Sequence, residues 1–208
     1  MRNDARFWDR IANRYSKQQI GDEAAYRKKL EMTRGVLRPD MNMLEFGCGT
    51  GSTAIEHAPH VAQIRAIDIS AKMIEIARGK AEAAGVTNIA FEQAAIDDLD
   101  VADGAFDVVL GMSILHLVAD RPAVLARVHR MLKPGGVFVS STACLADGMA
   151  WFRPLAALGS ALGLLPKVAF FRKPDLEAGL AAAGFEIEQS WQPGKGKAVF
   201  LVARKAAA

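Results

Sequence analysis

The chain has 208 residues, 51% hydrophobic and 24% charged, a globular balance sufficient for one α/β core and inconsistent with a disordered chain. Its 26 basic and 23 acidic residues leave a formal charge of +3, and the basic residues are spread along the chain, which argues against a nucleic-acid partner. Cys48 and Cys144 form neither a disulfide framework nor a C-x-x-C pair. The first ten residues lack the apolar centre of a secretory leader, and the longest apolar stretch, 154–166, is shorter than the ~20 residues a membrane span needs, so a cytoplasmic location is expected.

No internal repeat interrupts the pattern, and the whole chain reads as one domain, 1–208. Residues 1–36 form a helical cap: Phe7, Trp8, Ile11 and Tyr15 recur at helical spacing over 7–15, and a second helix is expected over about 23–36. From Met41 onward strands and helices alternate. MNMLEF is a short buried strand, followed by a glycine turn and a helix over about 50–57. VAQIRAID is the second strand, and Ser70 is placed to cap the helix that ends at Gly85. NIAFEQ and FDVVLGM are strands three and four, followed by a helix over 121–132 and a fifth strand, GVFVSSTAC. The apolar segment 145–172 reads as a lid-like insertion. A helix over 174–183, the strands FEIEQSW and KAVFLVA, and a tail from Lys205 complete the chain. This alternation predicts a doubly wound, mostly parallel seven-stranded α/β sheet with helices on both faces, closed by an antiparallel hairpin.

The most informative stretch is LEFGCGTG at 44–51, a buried strand running into alternating glycines and then a helix. Such glycines permit positive φ and let a flat ligand lie against bare backbone. The helix beyond offers free N–H groups, suited to a carboxylate or phosphate. Strand two ends in IDIS, which puts the Asp68 carboxylate at the neighbouring strand tip, where it can take both hydroxyls of a ribose.

These residues resemble a known family. LEFGCGTG and AIDIS are similar to the first two motifs of class I S-adenosylmethionine-dependent methyltransferases; AFDVVLGMSILHL and LKPGG resemble two later ones. FWDRIANRYS resembles the opening helix of the small-molecule branch related to ubiquinone-biosynthesis methyltransferases. The resemblance implies a Rossmann-like methyltransferase fold that binds S-adenosyl-L-methionine and releases S-adenosyl-L-homocysteine. It puts Gly47, Cys48, Gly49 and Gly51 along the cofactor, Glu45 beneath the loop near the α-amino group, and Asp68 on the ribose. Ile69 and Met73 press on the adenine, Gly111 and Ser113 border the methionine and its methyl, and Tyr15 closes over the top. The family often carries an acid and a small residue after strand three to take the adenine amino group. Here Ala95-Ile96 stands in that place, so either Asp97 or the local backbone is expected to recognise the base.

Methyl transfer needs the acceptor held in line and water kept out, and a base only where the acceptor must lose a proton. His116, after strand four, is the candidate base; His57, His60 and His129 are expected at the surface. No metal-spaced cluster is present in the sequence. Within 149–171, Trp151, Phe152, Leu155, Leu158, Leu162 and Leu165 fall partly at helical spacing. They read as one more packed core helix, as the wall of a hydrophobic acceptor pocket, or as a face resting on a membrane or a partner subunit. The expected partner is a small, hydrophobic methyl acceptor, with no nucleic acid, no stable membrane insertion beyond peripheral contact, and a monomeric or homodimeric state. Two other readings are a nicotinamide-dependent oxidoreductase, disfavoured by G-x-G-x-G without the later glycine of the dinucleotide fingerprint, and a non-catalytic S-adenosylmethionine-binding protein.

Overall fold

Seven strands receive the apolar runs of the chain in the computed structural model, which describes residues 2–207. They are β1 (Asn42–Phe46), β2 (Gln63–Asp68), β3 (Ile89–Gln93), β4 (Phe106–Met112), β5 (Leu132–Thr142), β6 (Phe185–Trp191) and β7 (Val199–Lys205). Their order in the single sheet is β3-β2-β1-β4-β5-β7-β6. The first five are parallel. β7 runs antiparallel between β5 and β6, so the closing hairpin supplies both an interior strand and an edge.

Because side chains alternate along a strand, neighbouring apolar residues serve opposite faces of this sheet. Leu44, Phe46, Val109, Phe138 and Leu201 face one way, against α5 (Arg121–Met131) and α7 (Lys173–Ala182). Met43, Ile64, Val108, Leu110, Val139 and Phe200 face the other, against α3 (Ser52–His57) and α4 (Ala71–Ala83). Burial on both faces is why these strands read as continuous apolar runs.

The remaining helices are α1 (Arg2–Tyr15), α2 (Glu23–Arg34) and α6 (Arg153–Ala161). Helix α1 begins five residues before the predicted start. Helix α4 begins as the sequence predicts: the Met73 N–H donates to Ser70 Oγ at 3.1 Å, and Gly85 follows its end with φ +66°. Strand β5 starts earlier than expected, at Leu132, which pairs with Phe106 before the register shifts around the Pro-Gly turn. Lys205, expected in the tail, pairs with Phe185 in the hairpin, and Ala208 lies outside the described residues. Among the described residues no helix is long and apolar enough to cross a membrane.

Two expectations fail. His57 is fully buried, and neither ring nitrogen has a partner among the described residues. Ala54, His57 and Ala58 fall at helical i, i+3, i+4 spacing on one inward face, a signal hidden in so short a helix. The helix in 149–171 is not packed core either: only Ala156 of α6 is buried, and Trp151, Leu155, Leu158 and Leu162 are exposed.

Candidate active site

Strand order reverses at the adjacent strands β1 and β4, and the crevice at their carboxyl ends is where open α/β sheets hold ligands. A cavity of about 470 Å3 lies there. The glycine turn forms its floor. Gly47 has φ +66°, and a Cβ on it would lie 2.6 Å from Ile114 Cγ1, so only glycine fits. Gly49 has φ +54° and faces Tyr15, whose Cε1 lies 3.9 Å from where a Cβ would stand.

The Asp68 carboxylate accepts the Gly49 N–H through Oδ2 and the Ser70 N–H through Oδ1, each at 2.9 Å. These bonds lock strand tip and glycine turn together and leave each oxygen a lone pair for a ligand in the cavity, which Asp68 lines. Burial raises its pKa, and the two N–H donors oppose that rise. Glu45 lies one layer beneath, 1% exposed, with Oε2 buried and unpartnered. Burial, and then the nearby Asp68 charge, push its pKa up to about 8, while the Ala54 N–H works the other way. A buried carboxyl in that state suits a cationic neighbour, which would draw its proton off.

The cavity brings together Tyr15, Gly47, Gly49, Asp68, Ile69, Met73, Ala95, Ile96, Asp97 and Ser113 of the sequence-predicted set. Asp97 is exposed at this wall, two residues beyond the position where the family motif carries its acid. Ser113 has φ +57°, the one positive-φ non-glycine among the described residues, held by its N–H to the Ser141 carbonyl at 2.7 Å. Strain of this kind gathers at ligand sites.

Other predicted residues stand off the cavity. Gly51 caps α3 with φ +75°, and a Cβ there would press on Ala77 and Phe91. At Gly111 a Cβ would lie 2.8 Å from Phe46 Cζ, so this glycine permits aromatic packing behind the wall. The Cys48 thiol is buried, and burial with Glu45 and Asp68 nearby raises its pKa, which keeps it protonated and inert. The His116 ring is not part of the cavity wall; Leu117 and Val118 take that place. His116 Nδ1 is buried without a partner, burial lowers the ring's pKa, and its carbonyl accepts the Ala169 N–H at 2.8 Å.

Sequence reasoning missed the opposite wall. Trp8 joins Tyr15 from α1, and residues 166–169 cross over from the far side of α6. Helix α1 is anchored by Asp9, whose Oδ1 accepts from Ser70 Oγ at 2.6 Å and from the Lys72 N–H at 3.1 Å, at the start of α4. The carboxylate there complements the N-terminal end of the helix dipole. The heptad separation of Trp8 and Tyr15 was a legible hint. Nothing local indicated that 166–169 would return to the cavity. Neither Trp151 nor Leu155 lines it, so the acceptor-pocket reading of those two residues is corrected.

Comparison with known proteins bears on what the cavity is for. A methyltransferase-domain family model matches residues 37–162. A ubiquinone biosynthesis O-methyltransferase of Azorhizobium caulinodans is 32% identical over 162 residues, covering 74% of this chain and 62% of that protein. The uncharacterized methyltransferase YcgJ of Bacillus subtilis is 30% identical over 102 residues, covering 49% of this chain and 40% of that protein. This chain therefore spans less than two thirds of either relative's length. The crystal structure of Bacillus YcgJ superimposes with a TM-score of 0.72 at 17% identity, covering 88% of this chain and all of that one, which establishes a shared fold. With the family match extending over well over half of its residues and the glycine turn at its centre, the chain belongs to the class I S-adenosylmethionine-dependent methyltransferases.

Proposed function

We propose that this protein transfers a methyl group from S-adenosylmethionine to a small, hydrophobic acceptor. The observation that carries the acceptor class is the far wall of the cavity, where Ile114, Leu117, Val118, Pro166, Val168 and Ala169 form an apolar stretch interrupted by Lys167. A pocket of this size and lining suits a small organic ligand. The Azorhizobium relative is named as an O-methyltransferase of ubiquinone biosynthesis, which supports a hydroxyl oxygen as the receiving atom and a kinship with the ubiquinone-type branch.

The residues present fit the cofactor. The bare backbone of 47–49 takes the methionine end, the spare lone pairs of Asp68 take the ribose hydroxyls, and Ile69 and Met73 flank the adenine. The unpartnered Glu45 oxygen beneath the turn would complement the ammonium end, and Asp97, with the backbone of 95–96, would supply the base contact. The bound sulfonium provides an activated methyl carbon. The chain's own work is to hold the acceptor in line and exclude water. Tyr15 and Trp8 act from α1 and 166–169 from the other side, so 145–172 serves as a lid over a single domain.

We assign His116 to the lid, through its carbonyl bond to Ala169, and not to proton transfer. A phenolic acceptor would give its proton to bulk solvent before entering the cavity and would bind as the phenoxide. The reading places the enzyme in the cytoplasm, free of nucleic-acid substrates. The test is calorimetry with S-adenosylhomocysteine, followed by product analysis with methyl-labelled donor and a panel of phenols and quinols. Tight S-adenosylhomocysteine binding with transfer to at least one of them is expected. Binding without transfer to any acceptor would favour a non-catalytic cofactor-binding protein. No binding would overturn the reading.

A further inference from the structure

The 3-10 turn Ala150–Phe152 and helix α6 are turned inside out for a helical segment in water. Trp151, Leu155, Leu158 and Leu162 recur at spacings of four, three and four, and all face solvent, Trp151 at 75% and Leu162 at 64% exposure. The inward face is made of Ala156, at 3% exposure, with the half-buried Gly159 and Ser160. An exposed apolar stripe this regular marks an interaction surface.

Charge distinguishes the possible occupants. Between Asp147 and Asp175 the chain has four cations, including Arg153 and Lys167, and no carboxylate. The β6–β7 loop brings two more: a Cβ on Gly148 would lie 4.0 Å from Gly196 Cα, which sets the exposed Lys195 and Lys197 at the start of the segment. At the other end Arg10 of α1 donates from Nη2 to the Gly163 carbonyl at 2.9 Å. Arg153, Lys167, Lys195 and Lys197 make no ion pair among the described residues. A second copy meeting this stripe would bring another carboxylate-free run with the same cations to the seam, so that 148–174 of neither copy would offer an opposite charge to the other. A surface of anionic headgroups over apolar chains matches both halves of the pattern, with a tryptophan at the margin where such rings partition.

We propose that this face seats the protein on an anionic phospholipid surface, with the leucines of α6 entering the acyl boundary and the surrounding cations meeting the headgroups. Residues 166–169 belong to both the segment and the cavity wall, so the cavity opens beside the lipid. The proposal does not depend on which acceptor is methylated.

The experiment is co-sedimentation of the full chain with vesicles of phosphatidylcholine alone and of phosphatidylcholine mixed with phosphatidylglycerol, at low and high salt. Binding to the mixed vesicles about tenfold tighter than to the neutral ones, and weakened by salt, is expected. The paired change Leu158→Asp with Leu162→Asp, and separately Lys195→Glu with Lys197→Glu, should each weaken it about tenfold while leaving S-adenosylhomocysteine affinity and circular dichroism unchanged. Indifference to both vesicles, equal binding to both, or a dimer in ultracentrifugation that the leucine variants dissociate would each overturn the proposal. Loss of fold in the leucine variants would also do so, because the stripe would then be core.

Discussion

The glycine turn and the segment 145–172 meet across one cavity, yet they are held by opposite means. The turn is cross-tied over a buried base: Asp68 bonds both the turn and the cap of α4, Asp9 clamps α1 to that cap, and Glu45 and His57 lie sealed beneath. Across the cavity, α6 buries one alanine and turns its leucines outward, and the segment is tied back by single bonds such as Arg10 to Gly163 and Ala169 to His116. A floor built this way is suited to fixing where a donor would lie. A wall built this way can yield to an acceptor.

The sharpest attack on that contrast is Gly47→Val. A branched side chain at φ +66° that also overlaps Ile114 should cost roughly 4 kcal/mol in strain and overpacking. Chemical denaturation and calorimetry should register lowered stability with no detectable S-adenosylhomocysteine binding. Wild-type stability with normal binding would mean that the floor is soft.

The buried His57 offers a pH test of the same rigidity. Burial, then the Arg34 and His60 charges, lower its pKa from 6.5 to about 4. Between those values the unfolded chain binds the extra proton, so the contribution is complete above about pH 6.5 and lost as pH falls towards 4. The loss amounts to about 3 kcal/mol. Glu45, with its raised pKa, pulls the other way between pH 4.5 and about 8, so the quantity to measure is wild type minus His57→Gln across denaturation curves. A difference that does not change with pH would place the ring in contact with water.

Asp68→Asn should weaken S-adenosylhomocysteine by about 2 kcal/mol, near thirtyfold, since one ligand bond to a charged acceptor is lost and the amide cannot accept from both Gly49 and Ser70. Glu45 gives a subtler readout. Held largely protonated at pH 7, it should release close to one proton when a ligand ammonium arrives, visible as a buffer-dependent binding enthalpy that disappears in Glu45→Gln. The smallest effect belongs to α6: Leu158→Asp should change stability by no more than about 0.5 kcal/mol, whereas Ala156→Asp, two residues away and on the inward side, should cost at least about 2. Equal costs would abolish the contrast between floor and wall.

The strands, their order of appearance, the glycine turn and Asp68 were legible in the sequence because each has a local cause. Period-two burial, a φ that only glycine takes easily, and a helix cap are all determined within a few residues. Boundaries were less legible where a cause lay elsewhere: Leu132 joins β5 because Phe106 is there to pair with it, and Lys205 extends β7 because Phe185 does the same. Gly51 and Gly111 read as ligand-facing glycines, but it was Phe91, Ala77, Phe46 and Phe138, distant in sequence, that made a side chain impossible there.

The sequence by itself determined the α/β class, the floor of the cavity and the family to which they belong, since those depend on short-range geometry. Only the tertiary structure decided that Trp8 and 166–169 close the opposite wall, that His116 stands outside it, and that the leucines of α6 face water. An apolar helical stripe is the same string of residues whether it packs inward or outward. Which face turns in depends on what else in the fold is there to cover it, and no window of local sequence contains that information.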